Sequence, residues 1–328
     1  MHYSNERIVV TGAAGFIGSH VCTKLIALDA KVIGIDIFDP YYARHLKDFN
    51  LRMVEDAGGD FVFSETDINS TSALTALLRE HQATGVIHLA AKAGVRPSIA
   101  DPVGYAHTNV TGTQSVLTAA TDAGCARCCV ASSSSVYGNN EKAPFAESDS
   151  VEHPISPYAA TKRSCELICD THNHLTGLPV AMLRFFTVFG PGQRPDLAIR
   201  LFLNKVSKGE TITMFGDGSM SRDFTFIDDI VSGVLASYEQ IDSHGYRIWN
   251  LGSDHPMRLS ELISTVGEVV GREPIIDQQP MQAGDVDRTW ADLTRSKAEL
   301  GYGATTSILD GMAKQWAWMQ EHADMLGC

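Results

Sequence analysis

RIVVTGAAGFIG, residues 7–18, decides the fold of this chain. Arg7–Thr11 is a short apolar run of strand type. Gly12, Gly15 and Gly18 follow it, and helical periodicity sets in over Ile17–Leu28. A strand, a glycine turn and a helix in that order form the opening unit of a dinucleotide-binding sheet. The glycines let the backbone turn sharply and approach a pyrophosphate, whose charge meets the helix N-terminus. The spacing is GxxGxxG rather than GxGxxG, with Phe16 and Ile17 at the mouth of the helix.

Working outward, Lys31–Asp36 is a second strand that ends on a carboxylate. Asp36 is placed to accept hydrogen bonds from ribose hydroxyls and to repel a 2′-phosphate, so NAD is expected over NADP. Arg44 lies too far on to reverse that expectation. Asp60–Ser64, Gly85–Leu89, Arg127–Ser132 and Pro179–Phe185 are further short apolar runs. Helical stretches separate them, among them Ser70–His81, Asp101–Ala123 and the segment around Tyr158. This alternation predicts a parallel sheet with helices on both faces.

After Phe186 the pattern becomes irregular. GPGQRPD is turn-rich, Leu197–Lys208 reads as helix, Phe224–Tyr238 reads as helix again, and short strands and helices mix from Leu251. The expected fold is a Rossmann-type, doubly wound α/β sheet with a smaller C-terminal α/β substrate domain. Residues 1–185 form the NAD-binding part, to which 224–250 return; 186–223 and 251–328 form the other.

A chain of 328 residues is long enough for both parts and a full core. Net charge is −13 and no basic tract occurs, which excludes nucleic acid as an expected partner. An anionic ligand therefore needs a local cluster of cations. No segment reaches about 18 uncharged apolar residues, and the N-terminus lacks a basic region followed by an apolar one. A cytoplasmic protein without a membrane anchor is expected. Of the seven cysteines, Cys125, Cys128 and Cys129 cluster at a predicted buried strand. No second ligand pair with suitable spacing follows, so no metal is expected. Cys165 and Cys169 read as packing residues.

Tyr158 and Lys162, in SPYAATK, stand at i and i+4 on one helix face. A free tyrosine titrates near ~10, and a neighbouring ammonium favours its phenolate. Such a phenol can take a proton from an alcohol near neutral pH. A run of four serines, Ser132 to Ser135, precedes this pair. Leu89, Ala90 and Ala91 end the fourth strand with residues small enough for a cofactor to approach, and Lys92 follows. Asp67 and Ile68 follow the third strand; Asp67 either reaches an adenine amine or caps the next helix. Asn109, a poor helix former at mid-helix, predicts a buried polar role beside the Tyr158 helix.

Taken in order, GxxGxxG, HLAA, NVTGT, SSSSVYG, YxxxK, RFFTVFGP and SRDFTFIDD resemble the extended short-chain dehydrogenase/reductases over nearly the whole chain. Within them the chain is most similar to the nucleotide-sugar 4-epimerases, above all those acting on UDP-glucuronate. The resemblance implies NAD as cofactor and a UDP-sugar as substrate. Tyr158 is then the base for the sugar 4-hydroxyl, Ser133 hydrogen-bonds that hydroxyl, and Lys162 holds the nicotinamide ribose. Ser134 and Ser135 line the sugar pocket. Thr187 and Arg194 join them in holding a C5 carboxylate. Arg222 binds the pyrophosphate, Thr213 and Phe215 flank uracil, and Asp285 lies near the uridine ribose. Arg96 reaches the sugar or phosphate, and Arg288 either touches phosphate or lies on the surface. A homodimer through the Asp101–Ala123 and Pro157–Leu175 helices is also implied.

Relatives that dehydrate a sugar carry Asp-Glu after the catalytic Ser/Thr, and decarboxylating ones carry glutamate before VYG. Ser134 and Ser135 stand here instead, so oxidation and return without elimination is expected. Alternatives are a 4-epimerase of UDP-N-acetylhexosamine or UDP-glucose, a UDP-glucuronate decarboxylase, and a non-enzymatic NAD sensor, against which the intact Tyr158 and Lys162 speak. Lys92 and Pro97 depart from the usual Gln and aromatic, and the order at Gly192-Gln193 differs. These positions bear on the shape of the sugar pocket.

Overall fold

The computed structural model describes residues 3–280 and 286–326. Its strands, in chain order, are β1 (Arg7–Thr11), β2 (Lys31–Asp36), β3 (Phe61–Glu65), β4 (Gly85–His88), β5 (Arg127–Ser133), β6 (Val180–Phe185), β7 (Thr187–Phe189), β8 (Thr211–Phe215), β9 (Ser221–Phe226), β10 (Tyr246–Leu251), β11 (Pro256–Arg258) and β12 (Ile275–Gln279). Seven of them form one parallel sheet in the order β10-β6-β5-β4-β1-β2-β3. Its central strands are apolar on both faces because helices cover both sides.

The strand order runs outward in both directions from β1 and β4, so the chain leaves β1 on one side of the sheet and β4 on the other. The crevice between their C-terminal ends is where such sheets bind ligands. The helices that frame it are α1 (Phe16–Ile26), α2 (Arg44–Asp56), α3 (Thr71–Glu80), α4 (Val95–Ala100), α5 (Pro102–Tyr105), α6 (Gly112–Ala123) and α7 (Pro157–Thr176). Register places Thr11 beside His88, His88 beside Val130 and Ser133 beside Phe185, so the serine run emerges at the same edge as the glycine turn. Both faces carry continuous apolar packing, and Cys128 on β5 and Cys165 and Cys169 on α7 lie buried within it.

Two expected helices are redrawn. The Asp101–Ala123 stretch is not one regular helix: residues 106–111 widen into a π-turn between α5 and α6. Such single-turn bulges re-aim side chains, and Asn109 sits in this one. Phe224–Tyr238 begins as strand. Ser221–Phe226 alternates polar and aromatic residues and pairs with β7 and β11, and only then does helix Ile227–Gln240 start, with Asp228 and Asp229 in its first turn. The small sheet β11-β9-β7 and the pair β12-β8 are separate from the large sheet. Asp223, on β9, ties the small sheet to the loop after β10 and to Ala291. It is fully buried and accepts hydrogen bonds from the Ser253 N–H and hydroxyl at 2.7 Å, from Asp254 N at 3.1 Å and from Ala291 N at 3.0 Å.

Candidate active site

One cavity of about 750 Å³ opens at the C-terminal ends of the central strands. The glycine turn lies along it. Gly12 adopts φ +75°, and a Cβ there would sit 2.8 Å from Ala90 N. A Cβ on Gly18 would sit 2.0 Å from the Gly12 carbonyl oxygen. Backbone packs directly on backbone, so a ligand meets main chain. Helix α1 starts after Gly15, which supplies no side-chain cap, so its first N–H groups are suited to a phosphate.

Asp36 stands at the end of β2. Its Oδ2 accepts from Ala14 N at 3.2 Å and its Oδ1 from Phe38 N at 2.8 Å. Burial raises its pKa, while these hydrogen bonds and Lys47 oppose the rise. Lys47 is nearly buried, lines the cavity and donates to the Asp39 carbonyl oxygen. Arg44 turns away, stacked 3.4 Å over the Phe38 ring and paired with Asp48. Asp67 lines the cavity beside Ile68. It does not cap α3, whose cap is Ser70; its carboxylate accepts from Asn69 N at 2.9 Å and closes a turn.

The β4 wall is Leu89, Ala90, Ala91 and Lys92. Behind it His88 is buried between Thr11 Oγ1 at 2.7 Å and Thr113 Oγ1 at 3.2 Å. Burial pushes its imidazole down to about 3, so it stays neutral and serves as a spacer. Asn109 does not line the cavity. Its Oδ1 accepts from Lys92 N at 2.8 Å, and its Nδ2 donates to Lys92 O and to Thr161 Oγ1, each at 3.0 Å. It fastens the β4 loop to α7. The Lys92 ammonium pairs with Asp101 at 2.8 Å.

Ser133, Ser134 and Ser135 line the third wall. Ser133 Oγ accepts from Ser135 N at 3.2 Å and from Ser135 Oγ at 2.9 Å. Opposite them stands α7, started by Ser156, whose hydroxyl caps Ala159 N at 3.1 Å, and by Pro157. Tyr158 lines the cavity with its ring edge-on to Tyr105, centroids 6.2 Å apart. Lys162 is buried and donates to Ala131 O at 2.8 Å. One turn further, buried Glu166 accepts from Ser132 Oγ at 2.7 Å and from Arg184 Nε and Nη2 at 2.8 and 2.9 Å. Tyr158, Lys162 and Glu166 thus form one helical stripe. Its inner end grips the strand that carries Ser133.

Thr187, Arg194 and Arg222 complete the wall from the C-terminal side. Arg222 Nη1 donates to Ser221 O at 2.9 Å. Arg194 rides on the loop before the helix Ala198–Lys208. Gln193 anchors that loop: it is buried, donates to Val188 O at 2.9 Å and accepts from Gln315 Nε2 at 2.8 Å. The unusual Gly192-Gln193 order is therefore a built feature of the loop. Arg96 and Phe215 do not line the cavity; the guanidinium lies 5.3 Å from the ring centroid. Thr213 faces Asp277 across the β8–β12 pair. Arg288 donates to the Glu141 carbonyl oxygen, and Asp285 lies outside the described residues.

Lys47, Lys92, Lys162, Arg194 and Arg222 gather in the wall of a chain whose net charge is −13. Sequence reading missed Lys47, Tyr105, Glu166 and Asp196. For Lys47 a signal existed: it shares the inward stripe of α2 with Asn50 and Val54, a cation among residues that turn to the interior.

Residues 8–252 match the NAD dependent epimerase/dehydratase family. The chain belongs to this family. Its residues Gly12 to Gly18, Ser133, Tyr158 and Lys162 all fall inside the matched span. The UDP-glucuronate 4-epimerase of Thermodesulfobacterium geofontis is 36% identical over 319 residues, covering 97% of each chain. The crystal structure of UDP-glucuronic acid 4-epimerase from Bacillus cereus, in complex with UDP-glucuronic acid and NAD, superimposes with a TM-score of 0.89 at 35% identity. It covers 96% of this chain and 99% of that one. DesIV, a dTDP-glucose 4,6-dehydratase from Streptomyces venezuelae with NAD and TYD bound, superimposes almost as well, at 0.88 and 31% identity over 97% and 98%. Within the epimerase/dehydratase family a shared backbone therefore does not by itself choose the reaction.

Proposed function

We propose that this chain is an NAD-dependent 4-epimerase that interconverts UDP-glucuronate and UDP-galacturonate through a transient 4-keto sugar. One observation carries the reading: Ser133, Tyr158 and Lys162 share a single cavity with the glycine turn and with Arg194, and the serine run brings no carboxylate. The main-chain approach at Gly12 and Gly18, the uncapped start of α1 and the Asp36 carboxylate fit a dinucleotide with free ribose hydroxyls. NAD, when bound, supplies the hydride acceptor and donor for C4 of the sugar.

The chain's own groups do the rest. Tyr158 takes the proton of the 4-hydroxyl and later returns it, and Ser133 orients that hydroxyl. Lys162, fixed by Ala131 O, holds the nicotinamide ribose. Between the two proton transfers the keto sugar turns about its bond to phosphate. Ser134, Ser135, Thr187 and Arg194 hold the C5 carboxylate, since a planar guanidinium suits a planar anion. A 4-keto uronate is a β-keto acid, and holding its carboxylate out of alignment suppresses loss of CO2. Arg222 serves the pyrophosphate. Residues 186–223 and 251–328 supply the sugar-nucleotide side. Among the described residues no helix is long and apolar enough to cross a membrane. The exposed Val103 and Leu175, on α5 and α7, support a homodimer built on those helices.

Incubating the protein with UDP-glucuronate and following the sugar by proton NMR tests this. Signals of the 4-epimer at constant carbon count are expected. Release of CO2 with a UDP-pentose, or no change with NAD supplied, would sink the reading. The pairing of Arg194 with Asp196 favours a second reading, a 4-epimerase of neutral UDP-sugars. Epimerisation of UDP-glucose in preference to UDP-glucuronate would select it.

A further inference from the structure

Tyr41, which lines the cavity, meets Asp196 beside it. Tyr41 belongs to the loop between β2 and α2, on the Asp36 side; Asp196 follows Arg194 on the loop after β7. The Tyr41 hydroxyl donates to Asp196 Oδ2 at 3.1 Å. Asp196 also accepts from Arg194, Nε to Oδ1 at 3.1 Å and Nη2 to Oδ2 at 2.9 Å. The same guanidinium lies 5.1 Å from the Tyr41 ring centroid, and its Nη1 reaches Ala93 O at 3.4 Å. Burial, with Asp196 beside it, raises the Tyr41 pKa, which keeps the hydroxyl a donor. Three loops from distant parts of the chain meet on one side chain.

An arginine carries five N–H donors in a fixed plane, with two edges that fit a carboxylate. Asp196 takes the Nε–Nη2 edge. Nη1 and Nη2 each carry two N–H groups, so after the bonds to Asp196 and Ala93 the guanidinium still has donors for a second carboxylate. We propose that Asp196 and Tyr41 are positioning residues, which fix the plane of Arg194 so that its Nη1–Nη2 edge receives the C5 carboxylate of a uronic acid. This rests on the reading of Arg194 given above. A free arginine loses much rotamer freedom when it grips a ligand, and an anchored one has lost it beforehand. Because one anchor stands on the β2–α2 loop, the segment that flanks Asp36 also shapes the sugar end.

The test is equilibrium binding of UDP-glucuronate, UDP-glucose and UDP to NAD-loaded protein by calorimetry. Asp196→Asn is expected to weaken UDP-glucuronate roughly tenfold, the scale of one charge-assisted contact, and to leave UDP-glucose and UDP within about twofold. Asp196→Glu should recover part of the loss, and Tyr41→Phe should weaken UDP-glucuronate about two- to threefold. Tighter or unchanged UDP-glucuronate binding in Asp196→Asn overturns the proposal. So does equal weakening of all three ligands, which marks a merely structural loop. Arg194→Ala separates the two layers. If the preference for the uronate survives it, the reading of Arg194 falls and the proposal with it; if the preference is lost there but kept in Asp196→Asn, only the positioning role falls. Should Asp196→Asn fail to fold, Tyr41→Phe decides, because it removes one hydroxyl and keeps the ring; unchanged uronate binding in that variant refutes the role.

Discussion

At one end of the cavity, Gly12, Gly15 and Gly18 lie within seven residues of one another and present main chain to the ligand. At the other end, Ser133, Tyr158, Thr187 and Arg194 come from four separate elements and present side chains. The first end is made by one local turn whose demands are steric. The second exists only when the sheet register, the start of α7 and two long loops all agree. Two relatives with the same backbone, a 4-epimerase and a 4,6-dehydratase, differ in chemistry.

Tyr158→Phe separates the two ends most sharply. It removes the proposed base and leaves the glycine turn intact, so kcat should fall roughly 10²–10⁴-fold while NAD binds as before. Turnover by NMR beside bound-cofactor content checks this, and loss of both together would break the distinction. Glu166→Ala comes next. Glu166 and Arg184 are almost fully buried, and removing one partner strands the other charge. A loss of about 3–5 kcal/mol in denaturant unfolding is expected, against about 0–1 kcal/mol for the surface pair Arg44–Asp48. A small loss would mean that the seating of α7 on β5 and β6 does not depend on this brace.

Gly18→Ala attacks the other end. Its Cβ would lie 2.0 Å from a carbonyl oxygen that cannot move alone. Overpacking of about 1–3 kcal/mol is expected, read as a roughly ten- to hundredfold weaker Kd for NAD, while far-UV dichroism stays that of the folded protein. The smallest effect, near neutral pH, concerns His88. Its folded pKa lies near 3, below that of the free imidazole near ~6.5, so the unfolded chain binds the extra proton in between. Stability from this group is full above about pH 6.5 and declines as pH falls toward 3, by about 1.4 kcal/mol at the first unit. His88→Gln should flatten that part of the stability-versus-pH curve. An unchanged slope would show that His88 is not the group responsible.

The large sheet was legible because its signals are local. Apolar runs of strand length alternate with helical periodicity, and Lys31–Asp36 has the bounds expected of it. The errors fall where tertiary contacts outweigh local pattern. Ser221–Phe226 becomes strand because β7 and β11 offer it partners, although the residues after it read as helix. The π-turn at 106–111 carries no mark in the sequence beyond an asparagine at mid-helix. In the site, Tyr158 and Lys162 could be paired by their spacing alone. Glu166 continues the same spacing, but its partners Ser132 and Arg184 lie on other elements, so its role was invisible.

Sequence by itself determined the parallel sheet, the glycine turn and the tyrosine–lysine stripe, because each follows from steric and periodic rules acting over a few residues. Only the tertiary structure decided that Arg194 would be gripped by Asp196, that Tyr41 would reach it from the loop between β2 and α2, and that Asn109 would fasten a loop instead of lining the cavity. Those outcomes depend on directional hydrogen bonds between residues far apart in the chain, and their geometry is set only once the core has packed.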